Sequence, residues 1–243
     1  MRKKTLIGVL GLVVALSGAS YAKSGVFVSG NVGLPITDPT YSTDVQAALA
    51  PSTGVGYMLG ADVGYQQQIN DKVGFRYYLS YNFSQSFASK NLSAAQVGML
   101  AQANGGMANG TASAGTNGGA SGKISAVNFN HLVALNVDYF INFTKMFSGY
   151  VGAGLGYTAY SINNTTNLTV GGHAAPADIR NISGDGFAVP INLGVSLDLG
   201  DSQRINLGTK IPIVATDVKG GPNNIQRASL RNYIVQLGYS YTF

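Results

Sequence analysis

Eight segments of this chain alternate apolar and polar residues: approximately 25–36, 55–69, 73–84, 126–141, 149–161, 187–199, 204–214 and 230–243. In VGFRYYLSYNFS (73–84), Val73, Phe75, Tyr77, Leu79, Tyr81 and Phe83 share one face. Gly74, Arg76, Tyr78, Ser80, Asn82 and Ser84 share the other. A period of two residues places successive side chains on opposite faces of a β-strand. The pattern predicts an all-β chain and leaves one question open. In a soluble barrel the apolar face meets a core and Arg76 meets water. In a transmembrane barrel the apolar face meets lipid and Arg76 points inward.

The connections favour the membrane. Residues 70–72, 142–148 and 200–203 are short turns, whereas 37–54, 85–125, 162–186 and 215–229 are long. Short turns on one rim and long loops on the other are the pattern of outer-membrane barrels. The apolar faces also end in aromatic residues. Tyr57, Phe83, Phe129, Tyr157, Phe187 and Tyr233 fall near the long-loop rim, and Tyr65, Phe75, Tyr139, Tyr241 and Phe243 near the short-turn rim. Two aromatic girdles flanking an aliphatic band mark two membrane interfaces.

The N-terminus agrees. Arg2-Lys3-Lys4 precede an apolar run, Leu6–Leu16, and Ser20-Tyr21-Ala22 offers a small-residue cleavage site after Ala22. This predicts a signal peptide over residues 1–22 and a mature barrel over 23–243. The run is too short to span about 30 Å of hydrocarbon as a helix. Three of the fifteen Lys+Arg residues leave with it, so twelve face ten Asp+Glu and the net charge falls to +2. The basic balance therefore gives no reason to expect nucleic acid as a partner. Charged residues are 10% of the chain, well below the roughly 25% of soluble domains. There is no cysteine, so no disulfide framework is available.

The charges on the polar faces are Asp62, Arg76, Asp138, Asp198, Arg204 and Lys210. Facing lipid near the midplane, each basic residue would cost about 2–4 kcal/mol, so they are expected inside. An antiparallel register around the 200–203 turn puts Asp198 opposite Arg204 and Asn192 opposite Lys210. It also puts Pro190 opposite Pro212, confining two missing ladder donors to one rung. Arg76 and Asp138 fall at similar heights on neighbouring strands, so an ion-paired interior containing Asp62, Arg76 and Asp138 is expected. The glycines of YVGAGLGY (150–157) fall inward at 152, 154 and 156 and would leave room for large groups such as Tyr78. A phosphate loop would need a following helix, which this segment lacks.

INLGTKIPIVATD (205–217) and LRNYIVQLGYSYTF (230–243) resemble the C-terminal barrel segment of the Helicobacter outer membrane protein family, and VGFRYYLSYNFS is similar to that family's recurring Arg-aromatic strand. The resemblance implies residence in the bacterial outer membrane, in a family that holds both porins and adhesins for host surfaces. The large adhesins carry a long extracellular domain ahead of the barrel segment; this chain is expected to be a small, barrel-only member. Outer-membrane lipid is then one partner. The outer-membrane assembly machinery, engaging the C-terminal strand that ends on Phe243, is a second. A host-surface ligand held by the loops is a third.

Catalytic and metal chemistry are poorly represented. His131 falls near the outer rim on the apolar parity and His173 in a long loop, neither near a carboxylate or second histidine at ligand spacing. No cofactor is expected. Asn91-Leu92-Ser93 and Asn167-Leu168-Thr169 read as loop composition rather than glycan sites. Within 85–125, LSAAQVGMLAQA (92–103) predicts a short amphipathic helix with Leu92, Ala95, Met99 and Leu100 on one side. The expectation is an eight-stranded antiparallel up-and-down barrel with a structural or host-contact role, not an enzyme. A narrow channel for small hydrophilic solutes is the rival reading, and ten strands the rival count.

Overall fold

A computed structural model describes residues 24–103, 119–170, 173–175, 181–200, 202–220 and 226–243. The expected signal peptide, 1–22 with cleavage after Ala22, lies outside them. Five long strands pair antiparallel in chain order: β1 (Gly25–Tyr41), β2 (Gly54–Gln68), β3 (Val73–Leu92), β4 (Ser121–Asn142) and β5 (Phe147–Val170). A short strand, β6 (His173–Ala175), lies on the outer end of β5. Two interrupted staves follow: β7 (Ile182–Ala188) with β8 (Pro190–Asp198), then β9 (Gln203–Pro212) with β10 (Thr216–Gly220). The last strand, β11 (Gln226–Thr242), pairs with β9 and β10 on one side and with β1 on the other. The sheet therefore closes as a ring of 8. Closure leaves no unpaired sheet edge, which hydrocarbon would not tolerate. No helix among the described residues is long and apolar enough to cross a membrane.

The register around the 200–203 turn is the one the pattern predicts: Asp198 faces Arg204, Asn192 faces Lys210 and Pro190 faces Pro212. The apolar parity faces outward, with Leu135 67% and Leu155 64% exposed. An aliphatic band on the outside of a closed sheet needs lipid around it.

The long loops differ from expectation. β4 runs for 22 residues and β5 for 24. At about 3.3 Å per residue and a tilt of roughly 45°, such strands rise about 50 Å, twice the apolar band of about 25 Å. Much of 162–186 and 215–229, and the ends of 37–54 and 85–125, are therefore strand projecting above the membrane. The reason is an inversion of phase. Above the outer girdle the outward residues become polar (Ser161, Asn163, Thr165 and Asn167 on β5), while the inward ones become apolar. Tyr160, Ile162, Ile182, Val218, Ala228 and Leu230 form a buried cluster inside the projecting barrel. Water has replaced lipid outside, so the apolar face turns to a core.

A second cluster, Leu92, Val97, Ile124 and Leu168, closes the tips of β3, β4 and β5. Two helices belong to this cap, α1 (Asp44–Leu49) and α2 (Ala94–Ala103). α2 opens with a capping box: the Ser93 backbone N–H donates to Gln96 Oε1 at 2.8 Å and the Gln96 N–H to Ser93 Oγ at 3.4 Å. Its buried anchor is Val97, while Ala95 is exposed. This corrects the expected face, of which Leu92 belongs to the end of β3 and the side chains of Met99 and Leu100 lie outside the described residues. Gln96 Nε2 and Lys90 Nζ donate to the Ala48 and Ala47 carbonyls at 2.8 and 3.1 Å, tying α1 to the α2 segment. In the first cluster, burial pushes the Tyr41 and Tyr160 hydroxyls up to about 12. Val97→Asp places a carboxylate in the second cluster and is expected to undock α2. Limited proteolysis should then cut 93–103 at least tenfold faster, with the melting of the barrel unchanged.

Candidate functional site

The barrel interior gathers the polar faces of all the staves. At the short-turn end, Arg204 forks onto Asp198, Nε to Oδ1 at 2.5 Å and Nη2 to Oδ2 at 3.3 Å. Its Nη1 donates to Gln66 Oε1 at 2.9 Å, and the guanidinium lies 5.3 Å from the Phe140 ring. A bidentate fork in a site shielded from water is the strong form of this pair.

Arg76 departs from expectation. It sits on the same rung as Asp138, yet it makes no ion pair among the described residues. Its Nη1 reaches Asn206 Oδ1 at 3.4 Å, its guanidinium lies 4.1 Å from the Phe27 ring, and its Nε has no partner. Asp138 is held by neutral donors instead, Tyr78 Oη at 2.8 Å and Asn192 Nδ2 at 2.9 Å. Asp62 accepts from Asn31 Nδ2 at 2.8 Å. Lys210 donates to Asn192 Oδ1 at 3.2 Å, with Nζ 5.7 Å from the Tyr78 ring. The expected ion-paired cluster of Asp62, Arg76 and Asp138 is thus a relay of amides and a phenol. A shared rung is no obstacle in itself, since Asp198 and Arg204 pair across one; here Tyr78, which points inward from β3 two residues along from Arg76, takes Asp138, and Arg76 turns to Phe27 and Asn206.

The glycines make room, but for other groups than Tyr78. A Cβ at Gly152 would lie 2.1 Å from Asp138 Oδ1, and one at Gly154 2.4 Å from Asn136 Oδ1. The Tyr150 hydroxyl lies over Gly194 and Gly208, where a Cβ would come within 2.4 and 2.0 Å. Each glycine makes room for a polar group that the lumen must hold.

Beyond Tyr78, sequence reasoning missed the inward aromatics Phe27, Phe140 and Tyr150. Phe27 and Phe140 are each 1% exposed and lie against the two arginines, while Tyr150 lies along the wall over Gly194 and Gly208. The signal was present: Phe140 shares the parity of Asp138 and Asn136 in LNVDYFIN (135–142), out of phase with the lipid face. Higher up, Asn130, Asn232, Thr37, Ser84, Ser86 and Asn128 form a hydrogen-bonded network. Charge, aromatic and amide layers together fill the lumen, as an eight-stranded barrel allows.

The proposed girdle residues all point outward. At the short-turn rim Phe75 packs on Tyr139 (5.3 Å between centroids) and Tyr241 on Phe243 (5.1 Å), with Tyr65 nearby on the same face. At the other rim Phe83 meets Phe129 (6.4 Å) and Tyr157 meets Phe187 (6.3 Å). Tyr57 bonds to Gln85 and Tyr157 to Asp185; Tyr233 is half-buried there. His131 joins this girdle, its ring 5.1 Å from Phe83 and its Nδ1 2.9 Å from the Tyr81 hydroxyl.

Among solved structures the chain is similar to OprG from Pseudomonas aeruginosa, with 14% identity over 91% of this chain and 97% of that one, TM-score 0.49. It is also similar to Neisserial surface protein A (13% identity, 92% and 100% covered, TM-score 0.41). The outer-membrane enzyme PagL is more distant (12%, 89% and 99%, 0.37). No curated protein matches at a significant level. The model of the Helicobacter outer membrane protein family matches residues 60–243, from β2 through the last strand. With its closed ring of strands and apolar exterior, the chain belongs to that family and resides in the bacterial outer membrane.

Proposed function

We propose that this protein is a surface-display barrel, with a structural or host-contact role carried by its projecting rim and loops. The observation behind this reading is the filled lumen: Arg204–Asp198 with Phe140, then Arg76 with Phe27 beside the Tyr78–Asp138–Asn192 relay, then the asparagine network. A solute would have to displace each in turn. The reading is non-enzymatic: His131 faces the membrane interface beside Tyr81 and Phe83, away from the lumen. Its partners would be lipid against the girdles, the assembly machinery engaging β11, and a host-surface ligand on the polar outer faces of β4 and β5.

In planar bilayers the refolded protein is expected to give no discrete conductance steps. Steps that change on Arg76→Gln or Asp62→Asn would establish the rival, a narrow channel, and overturn the display reading. Replacing 93–120 with Gly-Asn-Gly leaves the paired ends of β3 and β4 room to turn and removes α2. Adhesion of expressing cells to host cells is expected to fall severalfold while the barrel still folds. Unchanged adhesion would remove this loop from host contact.

A further inference from the structure

The apolar exterior does not end at the short-turn girdle. Phe143 stands four residues beyond Tyr139, and Ile69 four beyond Tyr65. Phe143 is 67% exposed and Ile69 56%, and Met146, Phe147 and Leu199 are exposed on the same rim. These residues enter the headgroup layer, about 5–7 Å deep on each side of the hydrocarbon. Their apolar surface is turned sideways. A Cβ at Gly149 would lie 2.9 Å from both Cε2 and Cζ of Phe143. That ring therefore rests on the outer wall of β5, toward the membrane rather than the periplasm.

Two side-chain-capped turns hold this rim in shape. Asn70 Oδ1 accepts from the Lys72 and Val73 N–H groups at 2.9 and 3.1 Å. Thr144 Oγ1 accepts from those of Met146 and Phe147 at 3.2 and 2.9 Å. The turns are also joined. The Asn142 N–H donates to the Lys72 carbonyl at 2.7 Å, and Asn142 Nδ2 to the Asp71 carbonyl at 3.0 Å. Lys72 and Lys145 are exposed on these joined turns, and Asp71 is the one carboxylate within 69–73 and 142–148. Among the described residues neither ammonium makes an ion pair. Lysine stems follow apolar surface while their ammonium groups reach the polar level.

We propose that this rim binds an anionic glycerophospholipid of the periplasmic leaflet. Lys72 and Lys145 take the headgroup, and the acyl chains lie against Phe143, Phe147 and the wall above them. A zwitterionic headgroup carries its own cation to the same level and gains little from a net positive rim. A periplasmic protein would meet the turns from below, whereas the Phe143 ring faces the bilayer. The proposal rests on residence in the membrane and is independent of the display reading.

The test is amide NMR of the full barrel in phosphatidylcholine nanodiscs containing rising fractions of phosphatidylglycerol. The amides of 70–73 and 142–148 are expected to shift saturably, and those of 227–231 at the opposite rim far more weakly. A lysine near an anionic surface contributes about a factor of five, so Lys72→Gln and Lys145→Gln should each raise the half-saturating fraction about fivefold. Both residues are exposed, so heat-modifiable migration should stay unchanged. Phe143→Ser keeps the charges but removes the chain contact, and should raise the fraction severalfold. An equal response at 227–231, non-saturating shifts, or full affinity in the double lysine variant or in Phe143→Ser would overturn the proposal. In cells, a photo-cross-linking residue at position 146 is expected to capture phospholipid. A discrete protein adduct would assign the rim to a periplasmic partner and overturn the proposal as well.

Discussion

Asp198→Ala is expected to lower the stability of the folded barrel by about 3–5 kcal/mol, the cost of leaving a buried arginine without its carboxylate. Arg204 would keep Gln66 and the face of Phe140, neither of which carries a charge. The measurement is the urea midpoint of the refolded barrel in detergent, read from heat-modifiable migration. Two companions separate the pair from its surroundings. The double variant Asp198→Leu with Arg204→Met should recover most of the loss, because apolar groups of similar volume replace both charges. Arg76→Met should cost only about 1–2 kcal/mol, since it forfeits a stacking contact on Phe27 and one long hydrogen bond. An Arg76 effect as large as that of Asp198 would mean that the relay around Asp138 depends on the guanidinium charge.

Gly152→Val is expected to abolish the folded barrel. Its Cβ would lie 2.1 Å from Asp138 Oδ1 and 2.3 Å from the Val137 carbonyl oxygen. The first contact can be relieved by a side-chain shift, but the second is backbone in a closed ladder. Overpacking commonly costs about 1–3 kcal/mol, and a clash against a backbone that cannot move should exceed about 4 kcal/mol. The folded band should vanish from unheated gels. Adding Asp138→Ala should restore only a fraction of it, because the carbonyl contact remains. Full recovery would place the crowding at the carboxylate alone.

The strands within the membrane were legible because one residue pattern reports one environment. VGFRYYLSYNFS has lipid on one side and the lumen on the other throughout, so its alternation holds phase and Arg76 is inward by parity alone. The same pattern hid the projecting ends of β5, β7, β10 and β11. There the apolar face swaps sides as lipid gives way to water, and Tyr160, Ile162 and Leu168 drop out of phase with Tyr157 and Leu155. Read for two opposite phases rather than one, SINNTTNLTV (161–170) would have marked the extension. The α2 face was misread for a related reason: Val97 is buried by Leu92, Ile124 and Leu168, which a helix considered alone does not reveal.

The lumen shows the same division. By itself the sequence determined the strand parity, the lipid face and the register across the 200–203 turn. Those depend on neighbours in the chain and on a period of two. Which lumenal groups meet was decided by the tertiary structure. Arg204 finds Gln66 at a separation of 138 residues and Arg76 finds Asn206 at 130. Closing the ring at eight strands brings opposite walls within side-chain reach, and a partner across that diameter has no signature in the local alternation. The prolines lie between the two cases. Their shared rung was readable from the turn, but the interruption beyond them exists because β11 holds β9 and β10 in registers two residues apart.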